Sequence, residues 1–224
     1  MVAFDLNTGD EKWRWNGDGP SYASPLVATF TGTRTVVALT DARLIGFRPS
    51  DGTVLWETPF AGAGANNANR ITPIIDGPNI ILTGPGKGVV AVKVDKEGDK
   101  FVVANLWSNL DNSVRWSNPV QKNGLIFGFS ERGSYFSITQ STGKTAWVTP
   151  AAGGQGFGSV LEAGNVILTL SQNGQLRALA PNEKSYEELA NYKVAETDVF
   201  ADPVISGQRI YIKDRSSVSL WTIE

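Results

Sequence analysis

The chain has 224 residues, with 20 lysines and arginines against 22 aspartates and glutamates, a formal net charge of −2. So small a charge builds no large basic field for nucleic acid. Histidine and cysteine are absent, which excludes Ser-His-Asp catalysis, histidine acid–base chemistry, histidine-ligated metals, disulfides, thiolate nucleophiles and zinc–sulfur sites from this chain.

The first predicted element is a strand–turn–strand over residues 2–13. It contains "AFDLNTGDEKW", with Thr8-Gly9 at the hairpin tip and Trp13 four residues after the glycine. A strand opened by a small residue and proline follows, "SPLVA" from Ser24. The apolar strands "TVVALT" and "RLIGF" come next, and "GFRPSDGTVLW" ends the unit at Trp56. The same order returns with "TPIID" from Thr72, "NIILTG" and "VVAVKV", ending at Trp107. It returns with "NPVQK" from Asn118, "LIFGFS", and "SITQSTGKTAW" ending at Trp147. In "GSVLE" from Gly158 the proline is replaced by Ser159, and "NVILTL" and "QLRAL" lead toward Tyr192. "DPVIS" from Asp202, "RIYIKD" and "SVSLWTI" complete the series. Short turns rich in Gly and Asn separate these strands.

Four short strands per unit of about 40–50 residues define an all-β fold, a β-propeller of four-stranded antiparallel blades. The blades fall near 2–13 (half a blade), 24–56, 72–107, 118–147, 158–192 and 202–223. About five blades are present, in a single domain over 1–224. No segment has convincing helical periodicity. "NEKSYEELANY" comes nearest, but a hairpin between third and fourth strands is due there; it reads as a longer hairpin with room for a helical turn. No apolar run approaches the length of a membrane span.

The phrase Ala3-x-Asp5-x-x-Thr8-Gly9-x-x-x-Trp13 resembles the tryptophan-docking repeat of pyrroloquinoline-quinone-type (PQQ-like) β-propellers. That superfamily includes quinoprotein dehydrogenases and non-catalytic, BamB-like assembly proteins. The second copy has Gly46 and Arg48 where Ala and Asp belong, and the fourth has Ser137 and Thr139. The third keeps Ala91 but carries extra residues before Trp107. The fifth has Ala178, no hairpin glycine, and Tyr192 in place of tryptophan. Trp13, Trp56, Trp107 and Trp147 are expected to be structural, each wedged between blades. The resemblance implies a seven- or eight-bladed ring and a periplasmic or other extracytoplasmic location. In such rings the last blade borrows its outer strand from the other end of the chain. This chain therefore reads as the C-terminal part of a longer propeller. No signal peptide is visible in it, and the missing part is where one is expected.

In blade geometry, the fourth-to-first connections and second-to-third turns share one side, which here gathers the longer loops. Loops on a rigid scaffold are where binding concentrates. The inner turns bring Arg43, Lys87, Arg132 and Arg215 toward the axis, with Asp41, Glu131 and Asp214 among them. Two readings stay open: a basic-leaning mouth for an anionic ligand or acidic peptide, or solvated turn residues. "GPGKG" lacks P-loop spacing and precedes a strand, so a phosphate cradle is not expected there. The polar loop "ANNANR" offers Asn67, Asn69 and Arg70 to a polar ligand or a partner backbone, or is simply solvated. Arg115 and Trp116 form either a recognition pair or a packing element beneath Pro119.

The dehydrogenase branch of the resemblance would imply PQQ and calcium. Its adjacent cysteine pair is absent here, and its Glu/Asn/Asp calcium set matches no assignable residues. The leading reading is therefore a non-catalytic scaffold for binding or protein assembly, with no catalytic residue, cofactor or metal. Its expected partner is a protein or a small anionic or polar ligand on the loop-rich side, with neither nucleic acid nor a membrane span. The alternative is a fragment of a PQQ- and calcium-dependent quinoprotein dehydrogenase. A third reading is a propeller that binds carbohydrate or peptide beside a separate enzyme domain.

Overall fold

The computed structural model describes residues 1–61, 69–151 and 157–222. Every regular element among them is a strand. Each sheet is antiparallel wherever its pairing is resolved, as expected from short β-branched and aromatic runs between turn residues. The chain divides into two compact units, Met1–Ser108 and Asn109–Glu224.

In the first unit, β1 (Val2–Phe4) pairs with β2 (Glu11–Arg14). β3 (Leu26–Phe30), β4 (Thr33–Leu39), β5 (Arg43–Phe47) and β6 (Val54–Pro59) form a four-stranded meander. A second follows from β7 (Ile74–Asp76), β8 (Asn79–Gly84), β9 (Gly88–Glu97) and β10 (Lys100–Asn109), whose last residue opens the second unit. β4 and β5 are near-continuous apolar runs because their sheet is covered on both faces. Val37, Leu39, Leu44 and Trp56 pack with Ile80, Leu82, Val92 and Val94 on one side. Ala38, Ile45 and Phe47 pack with Met1, Trp13 and Trp15 on the other.

The second unit holds two further four-stranded meanders and a three-stranded sheet. The first is β11 (Val120–Lys122), β12 (Leu125–Phe129), β13 (Tyr135–Thr139) and β14 (Thr145–Val148). The next is β15 (Gly158–Ala163), β16 (Val166–Ser171), β17 (Gln175–Leu179) and β18 (Glu188–Lys193). β19 (Val204–Ser206), β20 (Arg209–Lys213) and β21 (Val218–Thr222) make the last sheet. One core runs between the first two sheets, around Phe127, Phe129, Trp147 and Ile167. Another joins the second to the third, around Leu170, Leu176, Val199 and Ile212. The strands fall within the repeated sequence phrases. The connection through residues 180–187 is bends and coil, without the helical turn allowed for it.

The repeated phrase has a physical basis in its turn. Gly9, Gly52 and Gly143 each donate their N–H to the carbonyl four residues back, on Asp5, Arg48 and Thr139, at 2.8–2.9 Å. All three have φ between +71° and +78°, a region that favours glycine. The tryptophans then differ. Trp13 stacks over the next blade's turn, where a Cβ on Gly52 would fall 2.5 Å from its ring, and its Nε1 donates to Pro49 O at 2.8 Å. Trp147 donates to Asn182 O at 3.0 Å in the connection after β17. Trp56 instead folds onto its own cross-strand neighbour Gly46, and its buried Nε1 has no acceptor. One sequence alignment needs correction. Ala178 pairs with Ala190, so Ala190 holds the tryptophan position, and Tyr192 pairs with Leu176 and is largely exposed. The register shift that follows Ala178 also follows Ala3, Gly46 and Ser137; what differs is the connection, which is two residues longer from Ala178 to Ala190 than from Ala3 to Trp13.

Candidate functional site

The connections between blades and the second-to-third turns carry most of the residues expected at a binding surface. In the first unit they are largely committed to the fold. Thr40, at the end of β4, receives the N–H groups of Ala42 and Arg43 on its hydroxyl, which closes the turn. The Arg43 guanidinium makes a fork on Asp18, Nε to Oδ2 and Nη2 to Oδ1, both at 2.9 Å, and reaches Glu57 at 3.1 Å. Asp18 is sheltered and also accepts from the Thr40 hydroxyl at 2.8 Å. Arg43 is thus a clamp between the incoming loop and the outer strand, its charge offset by two carboxylates. Hydrogen bonding to Asp18 raises its pKa further.

Asn69 is fully buried. Its side-chain amide donates to Thr40 O and Phe60 O, both at 2.7 Å, and its backbone carbonyl accepts from Tyr22 N–H at 3.0 Å. The sequence reading of Asn69 as a residue offered to a ligand misses this: it ties three chain segments together from inside. Arg70 beside it is half-buried and engaged in the structure. Asn67 lies outside the described residues. Lys87 is half-buried in the turn between β8 and β9, where its N–H donates to Gly84 O at 3.0 Å.

The second unit presents its cations differently. The connection 109–119 is anchored at both ends. Asn109 donates to Gly143 O at 2.8 Å and Thr145 Oγ1 at 2.9 Å, and Asn112 adds a bond to Thr145 at 3.0 Å. Further on, Ser113 O accepts from Glu131 N–H at 2.8 Å, joining the loop to the turn that carries Arg132. Ser113, Val114 and Ser117 are buried, but Arg115 and Trp116 point outward, the guanidinium 5.7 Å from the indole ring. Arg132 is exposed and forms no ion pair among the described residues.

A second arginine–aromatic pair lies at the last sheet. Arg215 sits 5.5 Å from the Phe200 ring and bridges to Asp198 at 3.0 Å, while Phe200 packs on Phe157 at 5.6 Å. Its turn is fixed by Asp214, whose Oδ1 accepts from Ser216 N–H at 2.9 Å and Ser217 N–H at 2.6 Å. Those two bonds hold the Asp214 carboxyl well below the usual carboxylate range. The arrangement offers planar cations stacked on aromatic rings, which suits recognition of a protein surface.

Among the described residues the donors do not assemble a calcium–quinone centre. Among the described residues no three Asp, Glu, His or Cys side chains come together. Asp18 and Glu57 are engaged by Arg43, and Asp198 by Arg215. Among the described residues no helix is long and apolar enough to cross a membrane.

Fold and repeat together define a β-propeller of PQQ-like blades. The sequence matches the family described as outer membrane protein assembly factor BamB over residues 1–149, and the chain belongs to that family. No curated protein matches it. Two solved structures share its fold. BamB from Moraxella catarrhalis has a TM-score of 0.52 and 14% identity, over 99% of this chain and 78% of that one. The computationally designed Ika8 protein has a TM-score of 0.65 and 11% identity, over 99% of this chain and 64% of the designed one. The chain thus spans less than two thirds of the designed protein's length.

Proposed function

We propose that this BamB-family propeller is a non-catalytic scaffold that works outside the cytoplasm in protein assembly, holding a protein partner on its loop-rich side. The family match over residues 1–149 carries this reading, since the family is described as an outer membrane protein assembly factor. The exposed pairs Arg115–Trp116 and Arg215–Phe200, with Arg132, supply the contact chemistry. Arginine and tryptophan are the residues that most often dominate binding energy at protein interfaces. Arg43 and Asn69 enter only as supports for this side, by holding its loops in place.

The test is made in the cell that encodes the protein. Deleting the gene should lower the steady-state amount of outer-membrane β-barrel proteins, and the wild-type gene should restore them. The variant Arg115→Ala/Trp116→Ala should fold normally and restore them poorly. Unchanged barrel-protein levels after deletion would sink the proposal.

A further inference from the structure

The third-to-fourth hairpins of the first unit enclose a groove on the opposite side from the long loops. β9 and β10 have ten residues each, twice the length of β5, and turn at Gly98-Asp99. Between this long hairpin and the β5–β6 hairpin lies a cavity of about 470 Å³. Val54, Leu55 and Phe101 give it an apolar lining, and Thr33 and Thr53 contribute hydroxyls. Arg48, Lys96 and Lys100 surround it, against the single carboxylate of Asp99.

The state of these cations separates the groove from an ordinary solvated surface. Among the described residues the Lys96 ammonium forms no ion pair: it bonds the Thr33 hydroxyl at 3.2 Å and lies 4.7 Å from the Phe101 ring centre. Lys100 makes no ion pair among the described residues. Arg48 spends only Nη1, on Asp51 at 3.1 Å and weakly on Thr53 Oγ1 at 3.4 Å, so Nε and Nη2 remain available. Asp51 is itself anchored elsewhere, by Thr53 N–H at 2.9 Å. In addition, the indole N–H bond to the neighbouring hairpin that Trp13 and Trp147 make has no counterpart at Trp56 among the described residues.

Cations facing one another across an apolar strip repel, and an anion relieves them. A phosphate site would use convergent backbone N–H groups or a helix N-terminus. Here the donors are side chains spread over two hairpins, with apolar surface between them. That spacing fits carboxylates separated by an apolar side chain. We propose that the groove docks a short acidic segment of a partner protein, with carboxylates on Arg48, Lys96 and Lys100 and an apolar side chain against Leu55 and Phe101. The site is distinct from the loop-rich side and stands whether or not the scaffold reading does.

The test titrates the 224-residue chain with a capped five-residue peptide of alternating glutamate and leucine. Binding is read by calorimetry and by amide shifts of the β5–β6 and β9–β10 hairpins. The glutamine counterpart of the peptide and inorganic phosphate serve as comparison probes. The acidic peptide should shift both hairpins and weaken with added salt. The glutamine peptide should bind about tenfold more weakly or worse, and Lys96→Gln/Lys100→Gln should weaken the acidic peptide by a similar factor, with unchanged thermal unfolding. Arg115→Ala/Trp116→Ala should leave this binding intact. The proposal is overturned if the acidic peptide gives no hairpin shifts, if its glutamine counterpart binds equally, if the lysine variant binds undiminished, or if phosphate alone produces the same shifts.

Discussion

Trp56 rests against Gly46, so closely that a Cβ on residue 46 would fall 2.2 Å from Cε2 of the indole. Alanine is the residue of the complete repeat at this position, as Ala3 shows opposite Trp13. Restoring it should nevertheless harm the protein. The indole is wedged in a core with Phe30 edge-on at 5.6 Å and has no free space to retreat into. Gly46→Ala should destabilise the chain by about 1–3 kcal/mol, the usual cost of overpacking. Urea unfolding checks it, and a variant as stable as the wild type would contradict the packing described.

The same difference sets an order among the tryptophans. Trp147→Phe removes ring volume and also the hydrogen bond to Asn182 O. Trp56→Phe removes ring volume and a buried N–H that has no acceptor. A buried hydrogen bond contributes about 1 kcal/mol net, and an unpaired buried donor is itself a cost. Trp147→Phe should therefore lose about 1–2 kcal/mol more than Trp56→Phe. Equal losses in parallel denaturant titrations would mean that the indole bond contributes nothing.

The all-β fold and its four-stranded antiparallel sheets were legible because alternation and turn glycines are local signals. What Trp56 touches was not, since Gly46 looked like a simple departure from the repeat. The equivalence of Ala190 with the tryptophans was hidden because Ala190 is not aromatic and its hairpin is two residues longer than the one that precedes Trp13. Among the candidate site residues, loop polarity misled most at Asn69. A polar residue in a polar loop reads as solvated, yet this one is buried because the carbonyls of Thr40 and Phe60 need a donor there. Arg43 looked available for the same reason: its partner Asp18 lies 25 residues away, in a loop that no local pattern connects to it. Arg115 and Trp116 were readable as a pair, and the structure does stack them at the surface.

Stability should be flat from about pH 5 to pH 7, because the chain has no histidine or cysteine to titrate there. Below that it should fall. The Asp51 carboxyl is held down to about 2, first by the Thr53 N–H and then by the Thr53 hydroxyl, with Arg48 adding to both. Asp214 is lowered still further, by the N–H groups of Ser216 and Ser217. Both are more readily ionised in the folded chain than in the unfolded one, where an aspartate titrates near about 3.9. Their contribution is complete above that value and is lost as pH falls through it toward 2. Thermal midpoints measured from pH 7 to pH 2 should decline below about pH 4. Asp51→Asn should start lower at pH 7 and decline less steeply. A variant with the wild-type acid slope would remove Asp51 from the account.

The arginines of the loop-rich side should divide into two kinds when each is replaced by methionine. Arg43 holds the sheltered Asp18 carboxylate through two bonds at 2.9 Å, and without it Asp18 keeps only the Thr40 hydroxyl. Exposed ion pairs contribute up to about 1 kcal/mol, and breaking fully buried ones costs about 3–5 kcal/mol. Arg43 is partly exposed while Asp18 is sheltered, so Arg43→Met should cost more than loss of an exposed pair and less than loss of a fully buried one. Adding Asp18→Asn should recover part of the loss, because the stranded charge is then gone. Arg115→Met and Arg132→Met remove no ion pair formed among the described residues and should change stability by less than about 0.5 kcal/mol. Denaturant titrations of the four variants would show the division. If Arg132→Met proved as costly as Arg43→Met, the exposed cations would belong to the fold and would no longer be candidates for contact with a partner.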